Sequence, residues 1–103
     1  MNNFNIIGVI TYIGDKNKDG FFIFHITTTK EKKTNIDGVK EITIPFQGLS
    51  NMYNKVKSFG IGEIVVVQFD ITSKIAKQGE ILYVNLLAIN IDASQILPIN
   101  LNI

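Results

Sequence analysis

The stretch that decides the fold reads "ITIPFQGLSNMYNKVKSFGIGEIVVVQFDI" over residues 42–71, and its hydrophobic period changes twice. It opens on an alternating run, continues with apolar residues at helical spacing, and returns to alternation in "IVVVQFDI" (64–71). Alternation is typical of a half-buried strand, whereas apolar residues three or four positions apart indicate an amphipathic helix. The stretch therefore predicts a single helix between two strands.

The predicted helix has an apolar face about three turns long. That face is formed by Leu49, Met52 or Tyr53, Val56 and Phe59. Ser50 or Asn51 is available as the N-cap, because a short polar side chain can accept a hydrogen bond from a free N–H group of the first turn. Gly60 follows the last apolar position and is the expected stop.

The chain on either side contains further alternating segments. Together they predict five strands, over residues 5–14, 21–29, 39–47, 64–71 and 80–91. The links 15–20 and 30–38 both end in Asp-Gly, which is a strong signal for a tight turn because glycine accepts positive φ angles. The first three strands are therefore expected to form a meander, and the link 72–79 is expected to join the last two strands in a hairpin.

Three strands, a helix and two strands, in this order, are typical of a five-stranded Greek-key barrel of the OB-fold type, in which the helix closes one end of the barrel. The predicted fold class is therefore all-β with one helix, placed between strands three and four. We expect one OB-fold domain over residues 1–92, because 103 residues that are 46% hydrophobic can build a single modest core. Residues 93–103 are apolar enough to pack on the barrel or on a neighbouring subunit.

The composition excludes several classes of function. The chain contains no cysteine, which excludes a disulfide framework, a thiolate nucleophile and a cysteine-based metal site. The single histidine, His25, has no acid cluster nearby in the sequence, and no catalytic constellation is recognisable. The N-terminal segment lacks the features of a signal peptide, and no apolar run is long enough to span a bilayer. We expect a cytoplasmic protein that is not an enzyme, holds no metal or other cofactor, and does not enter a membrane.

Two features of the outer surface point to nucleic acid. Strand alternation assigns Phe22, Phe24 and Phe69 to the barrel interior, and it leaves large groups on the opposite faces. These groups are Tyr12, Phe21, Ile23 and His25. The net charge is only +1, but nine of the ten lysines fall in predicted links or in the helix. Binding of unpaired nucleic acid without base readout requires cations that follow the phosphates and flat rings on which bases stack.

Several segments resemble bacterial single-stranded DNA-binding proteins, and the resemblance covers about residues 3–92. The segments are "NIIGVITYIGD", "FFIFHI", the stretch 42–71 and "GEILYVNLLAINID", in the order found in that family. The resemblance implies sequence-tolerant, cooperative coating of single-stranded DNA by a dimer or tetramer. Typical members continue into a flexible tail with an acidic tip that recruits replication proteins. This sequence has no acidic residue after Asp92, so we expect no acidic C-terminal tip and no recruitment by that route.

The arginines and tryptophans that commonly contact DNA in that family are absent here, so contacts would fall to lysines and to other rings. The candidate nucleic-acid-binding residues are Tyr12, Lys16, Lys18, Phe21, His25, Lys30, Lys32, Lys33, Phe46, Lys74, Lys77 and Tyr83. Phe46 has two possible positions: alternation places it with Ile42 and Ile44, whereas the resemblance implies a DNA-facing aromatic nearby, and Pro45 is a candidate bulge. The sequence leaves two roles open for Tyr83: stacking on a base in the groove, or a contact between subunits.

We therefore expect a single-stranded DNA-binding protein that coats DNA without sequence specificity in replication, recombination or repair, through lysine–phosphate contacts and aromatic stacking. Exposed Ile6, Ile10 and Ile23 on one sheet surface predict contacts between the subunits of a dimer or tetramer. The alternative is an interaction module that assembles a replication or mobile-element system and has little intrinsic affinity for single-stranded DNA.

Overall fold

A computed structural model describes residues 3–31, 39–75, 77–79 and 81–95. The elements follow the predicted order of three strands, one helix and two strands. They are β1 (Phe4–Ile13), β2 (Phe21–Glu31), β3 (Val39–Leu49), α1 (Ser50–Phe59), β4 (Ile64–Ile75) and β5 (Ile81–Ala93). The main difference in length is at the last hairpin, where β4 continues four residues beyond the predicted end at Ile71.

The five strands form a closed barrel in the order β1-β2-β3-β5-β4. All neighbouring strands are antiparallel except β3 and β5, which pair in parallel where Gln47 faces Leu87. The predicted all-β OB barrel with one helix is confirmed. Closure matters for a chain of this size, because a closed sheet buries one side of every strand without leaving a long unpaired edge.

The barrel core is apolar throughout the described residues. It consists of Ile10, Phe22, Phe24, Ile26, Phe46, Met52, Val56, Val65, Val67, Ala88 and Ile91. The helix α1 contributes Met52 and Val56 and so closes the barrel end, as expected. Gly60 ends the helix at φ 81°, a left-handed conformation that favours glycine. The N-cap is Leu49 rather than Ser50 or Asn51, because β3 runs directly into the helix.

A chain of aromatic rings crosses the core. Phe22 and Phe24 stack with centroids 5.6 Å apart, Phe24 and Phe46 stack at 5.7 Å, and Phe46 meets Phe69 edge-on at 4.9 Å. The interior positions predicted for Phe22 and Phe24 are confirmed. Phe69 is partly buried and packs against the core. Ring contacts of this kind stabilise by about 0.5–1.5 kcal/mol beyond the apolar area they bury.

The structure contradicts the DNA-facing position for Phe46, whose side chain is 0% exposed. The pairing of β2 with β3 runs without a register shift from Phe21–Leu49 to Glu31–Val39. The bulge considered at Pro45 is therefore absent from this ladder, and Pro45 sits opposite His25. Strict alternation then keeps Phe46 on the inner side with Ile44, which packs against the core.

The prediction that Ile6 and Ile10 are exposed is also wrong. Ile10 is fully buried, and Ile6 is partly buried and packs against the core. The physical reason is a register shift between Ile10 and Tyr12, where β1 inserts an extra residue against β2. Such a bulge reverses the alternation, so Ile10 faces inward and Tyr12 still faces outward. The aliphatic residues on the outside of β1 are Ile7 and Val9 instead.

The C-terminal extension predicted over 93–103 begins where β5 ends. The Ser94 backbone N–H donates to the Ile64 carbonyl at 3.1 Å, which holds the chain against the start of β4. Residues 96–103, to which the predicted packing mainly applies, lie outside the described residues. Within the described segments, no helix has the length and apolarity needed to cross a membrane.

Candidate nucleic-acid interface

The strands β1, β2 and β3 present one continuous surface to the outside, called the outer face below. Its side chains are exposed or half-buried, and they alternate with the core residues along each strand. They are Thr11 and Tyr12 of β1, Ile23, His25 and Thr27 of β2, and Thr43, Pro45 and Gln47 of β3. The outer face thus combines rings, hydroxyls, an amide and an aliphatic group, and none of these side chains carries a fixed charge.

The aromatic part of the outer face is the pair formed by Tyr12 and His25. The two residues are opposite each other in the β1–β2 ladder, and their ring centroids are 4.7 Å apart at an interplanar angle of 40°. A Cβ added at Gly14 would lie 3.1 Å from the Tyr12 hydroxyl, so the Tyr12 ring extends over Gly14 towards the link after β1. Tyr12 is 48% exposed. A half-exposed ring with one supported side can accept a nucleobase by stacking.

A row of three threonine hydroxyls runs across the strands beside these rings. The Thr11 and Thr27 Oγ1 atoms are 3.0 Å apart, and the Thr27 and Thr43 Oγ1 atoms are 2.8 Å apart. Each hydroxyl has one proton, so two hydrogen bonds among three hydroxyls leave one proton available to an outside acceptor. Phosphate and sugar oxygens are acceptors of this kind. The sequence did not indicate this row, because only the strand register brings the three residues together.

An apolar groove continues the outer face towards the β4–β5 hairpin. One wall is formed by Ile23, Pro45 and Gln47 of the outer face, and the other by Val84, Asn85 and Leu86 of β5, with Phe46 beneath. Its position follows from the short contact between β3 and β5, which pair at a single position. Ile23 and Val84 are both exposed. Ile23 is thus exposed, as predicted, but it lines this groove and lies apart from Ile6 and Ile10.

Two of the described lysines lie in a link beside this surface rather than on its strands. Lys16 and Lys18 are exposed in the link between β1 and β2. Asn17 shapes this link, since its Oδ1 accepts hydrogen bonds from the backbone N–H groups of Asp19 at 2.9 Å and Phe21 at 3.0 Å. Two cations are therefore held in a hydrogen-bonded turn at the end of the outer face.

The remaining candidates are more dispersed. Lys77 is exposed in the turn of the β4–β5 hairpin, and Phe21 is half-buried at the start of β2. Tyr83 is 48% exposed on β5, and it is not among the residues that line the groove, although its neighbour Val84 is. The side chains of Lys30 and Lys74, and the whole of Lys32 and Lys33, lie outside the described part of the chain.

The described residues contain no group of three or more His, Asp or Glu side chains that could hold a metal ion. The chemistry available on this surface is stacking, hydrogen bonding and contact with phosphates at the rim.

Comparison with known proteins identifies the fold. No family model and no curated protein sequence matches the chain. A small single-stranded DNA binding protein from Mycoplasma pneumoniae has a similar structure, with a TM-score of 0.66 at 9% identity over 93% of this chain and 96% of that chain. A mitochondrial single-stranded DNA binding protein of S. cerevisiae gives a TM-score of 0.61 at 13% identity, over 89% and 94% of the two chains.

A small single-stranded DNA-binding protein from Streptomyces coelicolor gives a TM-score of 0.51 at 14% identity, over 91% of this chain and 94% of that chain. At these identities the likeness establishes the architecture and not the activity. The chain therefore has the OB fold of small single-stranded DNA-binding proteins.

Proposed function

We propose that this protein binds single-stranded DNA without sequence specificity, along the outer face and the groove next to it. The observation that carries this proposal is the half-exposed Tyr12–His25 ring pair, which lies between the threonine row and the apolar groove. The named activity of the structural neighbours, single-stranded DNA binding on the same fold, supports it.

The proposed mechanism divides the work among three kinds of group. A base stacks on Tyr12, and stacking of this type is worth about 1–3 kcal/mol per base and tolerates any base. The threonine hydroxyls and Gln47 bond to sugar and phosphate oxygens, while Lys16 and Lys18 neutralise phosphates at the rim. Duplex DNA binds weakly because its bases are stacked on each other and cannot reach the ring. Coating of exposed strands in replication, recombination or repair is the role that fits such binding.

Self-association belongs to the same proposal, on a different surface from the one expected. Ile7 pairs with Val66 and Val9 pairs with Ile64, and all four side chains alternate with buried neighbours and so face outward. Aliphatic residues clustered on the outside of a barrel are typical of a contact between subunits. This aliphatic face supports a homo-oligomer. It also favours the second candidate function, an assembly module with little affinity for DNA.

Fluorescence anisotropy with labelled dT oligomers of graded length separates the two candidates. We expect binding that strengthens with oligomer length, is similar for mixed sequences, and is much weaker for duplex of equal length. If about five lysines engage phosphates, the logarithm of the affinity falls with the logarithm of the salt concentration at a slope of roughly −3 to −4. Oligomers in light scattering together with flat anisotropy traces at micromolar protein and low salt would favour the assembly module.

A further inference from the structure

Two lysines from different parts of the chain place their ammonium groups near the ring of Tyr53. The Lys16 Nζ, from the β1–β2 link, lies 5.2 Å from the ring centroid, and the Lys57 Nζ, from α1, lies 5.5 Å from it. The ring is itself fixed, because it meets the buried Phe22 edge-on at 5.1 Å. Ammonium groups within about 6 Å of a ring centroid are attracted by its face. Tyr53 thus anchors two cations at the helix end of the barrel.

No ion pair within the described residues joins this cluster to an acidic side chain. Among the described residues neither Lys16 nor Lys57 has an acidic partner, whereas Lys55, on the same helix, is paired with Asp92 at 3.2 Å. The helix itself contains no acidic residue. Two ammonium groups gathered at one ring repel each other, and an anion that contacts both removes this repulsion. The cluster therefore has the charge and the fixed position of an anion site.

The cluster also lies on the continuation of the outer face. The Gly14 N–H donates to the Ile23 carbonyl at 2.8 Å, which keeps the start of the link against β2. Lys16 follows two residues later, just beyond the Tyr12 ring that extends over Gly14. A polynucleotide that stacks on Tyr12 and continues in this direction passes Lys16 and arrives at Tyr53 and Lys57.

We propose that Lys16, Tyr53 and Lys57 form a second phosphate-binding site, which holds the backbone of an unpaired polynucleotide after it leaves the outer face. This inference rests on the proposed function and extends it to a length-dependent contact. The ligand class is a phosphodiester backbone, and the site reads no base. Oligomers that only cover the outer face do not reach Lys57, whereas longer oligomers do.

The test compares two lysines of one helix by anisotropy over a range of salt concentrations. The variants are Lys57→Gln, the double variant Lys16→Gln/Lys57→Gln, and the matched control Lys55→Gln, whose ammonium is already neutralised by Asp92. The probes are a dT oligomer of about 6 nucleotides and one of about 20, which bracket typical OB-fold site sizes. All three lysines are exposed, so the variants are expected to fold, and circular dichroism confirms this.

With the long oligomer we expect Lys57→Gln to reduce the steepness of the salt dependence by about 0.7, and the double variant to reduce it by about 1.4. At low salt Lys57→Gln should bind the long oligomer roughly two- to fivefold more weakly. The short oligomer should not distinguish Lys57→Gln from the wild type, and Lys55→Gln should behave as the wild type with both probes.

A second pair of variants tests the ring. Tyr53→Phe keeps the aromatic face that attracts the two ammonium groups, so it should bind as the wild type. Tyr53→Leu removes this face, so its binding should depend less steeply on the salt concentration.

An unchanged slope in Lys57→Gln with the long oligomer, with intact wild-type binding, would overturn this inference and leave the proposed function standing. An equal effect of Lys55→Gln and Lys57→Gln would also overturn it, because general positive charge would then explain the binding. Absence of wild-type binding to both oligomers would overturn the proposed function and this inference together.

Discussion

Tyr12 and Tyr83 are a matched pair at the scale of single residues, since each is 48% exposed on a strand. Tyr12 lies on the outer face against His25, whereas Tyr83 lies on β5 and does not line the groove. We predict that Tyr12→Leu weakens binding of a dT oligomer about 5- to 150-fold, which corresponds to the loss of one stacked base. Tyr83→Leu should weaken it far less. Anisotropy titrations of the two variants measure the difference, and equal losses would argue against the assigned path.

Phe46 should affect stability rather than binding. Its ring is fully buried between Phe24 and Phe69, so Phe46→Ala leaves a cavity in the core. We predict a loss of about 3–5 kcal/mol in the free energy of unfolding. Urea denaturation measures this loss. A variant of nearly wild-type stability with specifically impaired DNA binding would return Phe46 to the nucleic-acid interface.

The buried position of Phe46 could be predicted from the residue pattern alone. Strict alternation with Ile44 predicts a ring that faces inward, whereas the resemblance to a family motif predicts a ring that faces the DNA. The alternation was the better guide here because β2 and β3 pair without a register shift along their whole length. Tyr12 is the opposite case: its outward position was predicted, but its partner His25 and the supporting Gly14 become evident only from the register and the backbone path.

At the scale of elements, helix α1 is tied to β5 by an exposed polar cluster. The Lys55 Nζ donates to Asn90 Oδ1 and Asp92 Oδ1, both at 3.2 Å, and Asn90 Nδ2 donates to Asp92 Oδ2 at 3.0 Å. Exposed pairs of this type stabilise by only about 0–1 kcal/mol, because water screens them and both side chains lose freedom. The cluster therefore matters mainly for which lysines of α1 remain available to phosphates.

We predict that Asp92→Asn lowers the free energy of unfolding by less than about 1 kcal/mol and makes DNA binding more dependent on salt. Removal of the carboxylate frees the Lys55 ammonium, which adds up to about 0.7 to the steepness of the salt dependence with a long dT oligomer. Thermal denaturation and anisotropy at several salt concentrations check the two parts. Weaker binding at low salt, or an unchanged slope, would contradict the view that α1 faces the DNA.

The element order was predictable because the hydrophobic period changes so clearly around α1. Which side of β1 faces the core was not predictable. Both sides of this strand carry aliphatic residues, Ile6 and Ile10 on one and Ile7 and Val9 on the other, so composition alone does not identify the inner side. The bulge between Ile10 and Tyr12 then reverses the inward and outward alternation within the strand. No glycine or proline lies at that position to indicate it.

At the scale of the whole molecule, the barrel separates two surfaces with different chemistry. The outer face of β1, β2 and β3 carries rings and hydroxyls with lysines at its rim, and the outward side of β1 and β4 carries aliphatic groups. The proposed DNA binding and the proposed self-association use different residues of these two surfaces, which meet where Val9 pairs with Thr27.

The closure of the barrel by β3 and β5 was the least predictable feature at this scale. It depends on one parallel contact, between Gln47 and Leu87, and Gln47 also lines the groove. Local patterns do not encode such a contact between distant segments, and only the resemblance to a known order of elements implied it.

Binding along the outer face is tested directly by a map of backbone amide chemical shifts as a dT oligomer is added to the labelled protein. We predict the largest changes at Tyr12, His25, Thr27 and Gln47, and small changes at Ile64 and Val66 on the aliphatic face. Changes concentrated on the aliphatic face, or none at low salt and excess oligomer, would contradict the account.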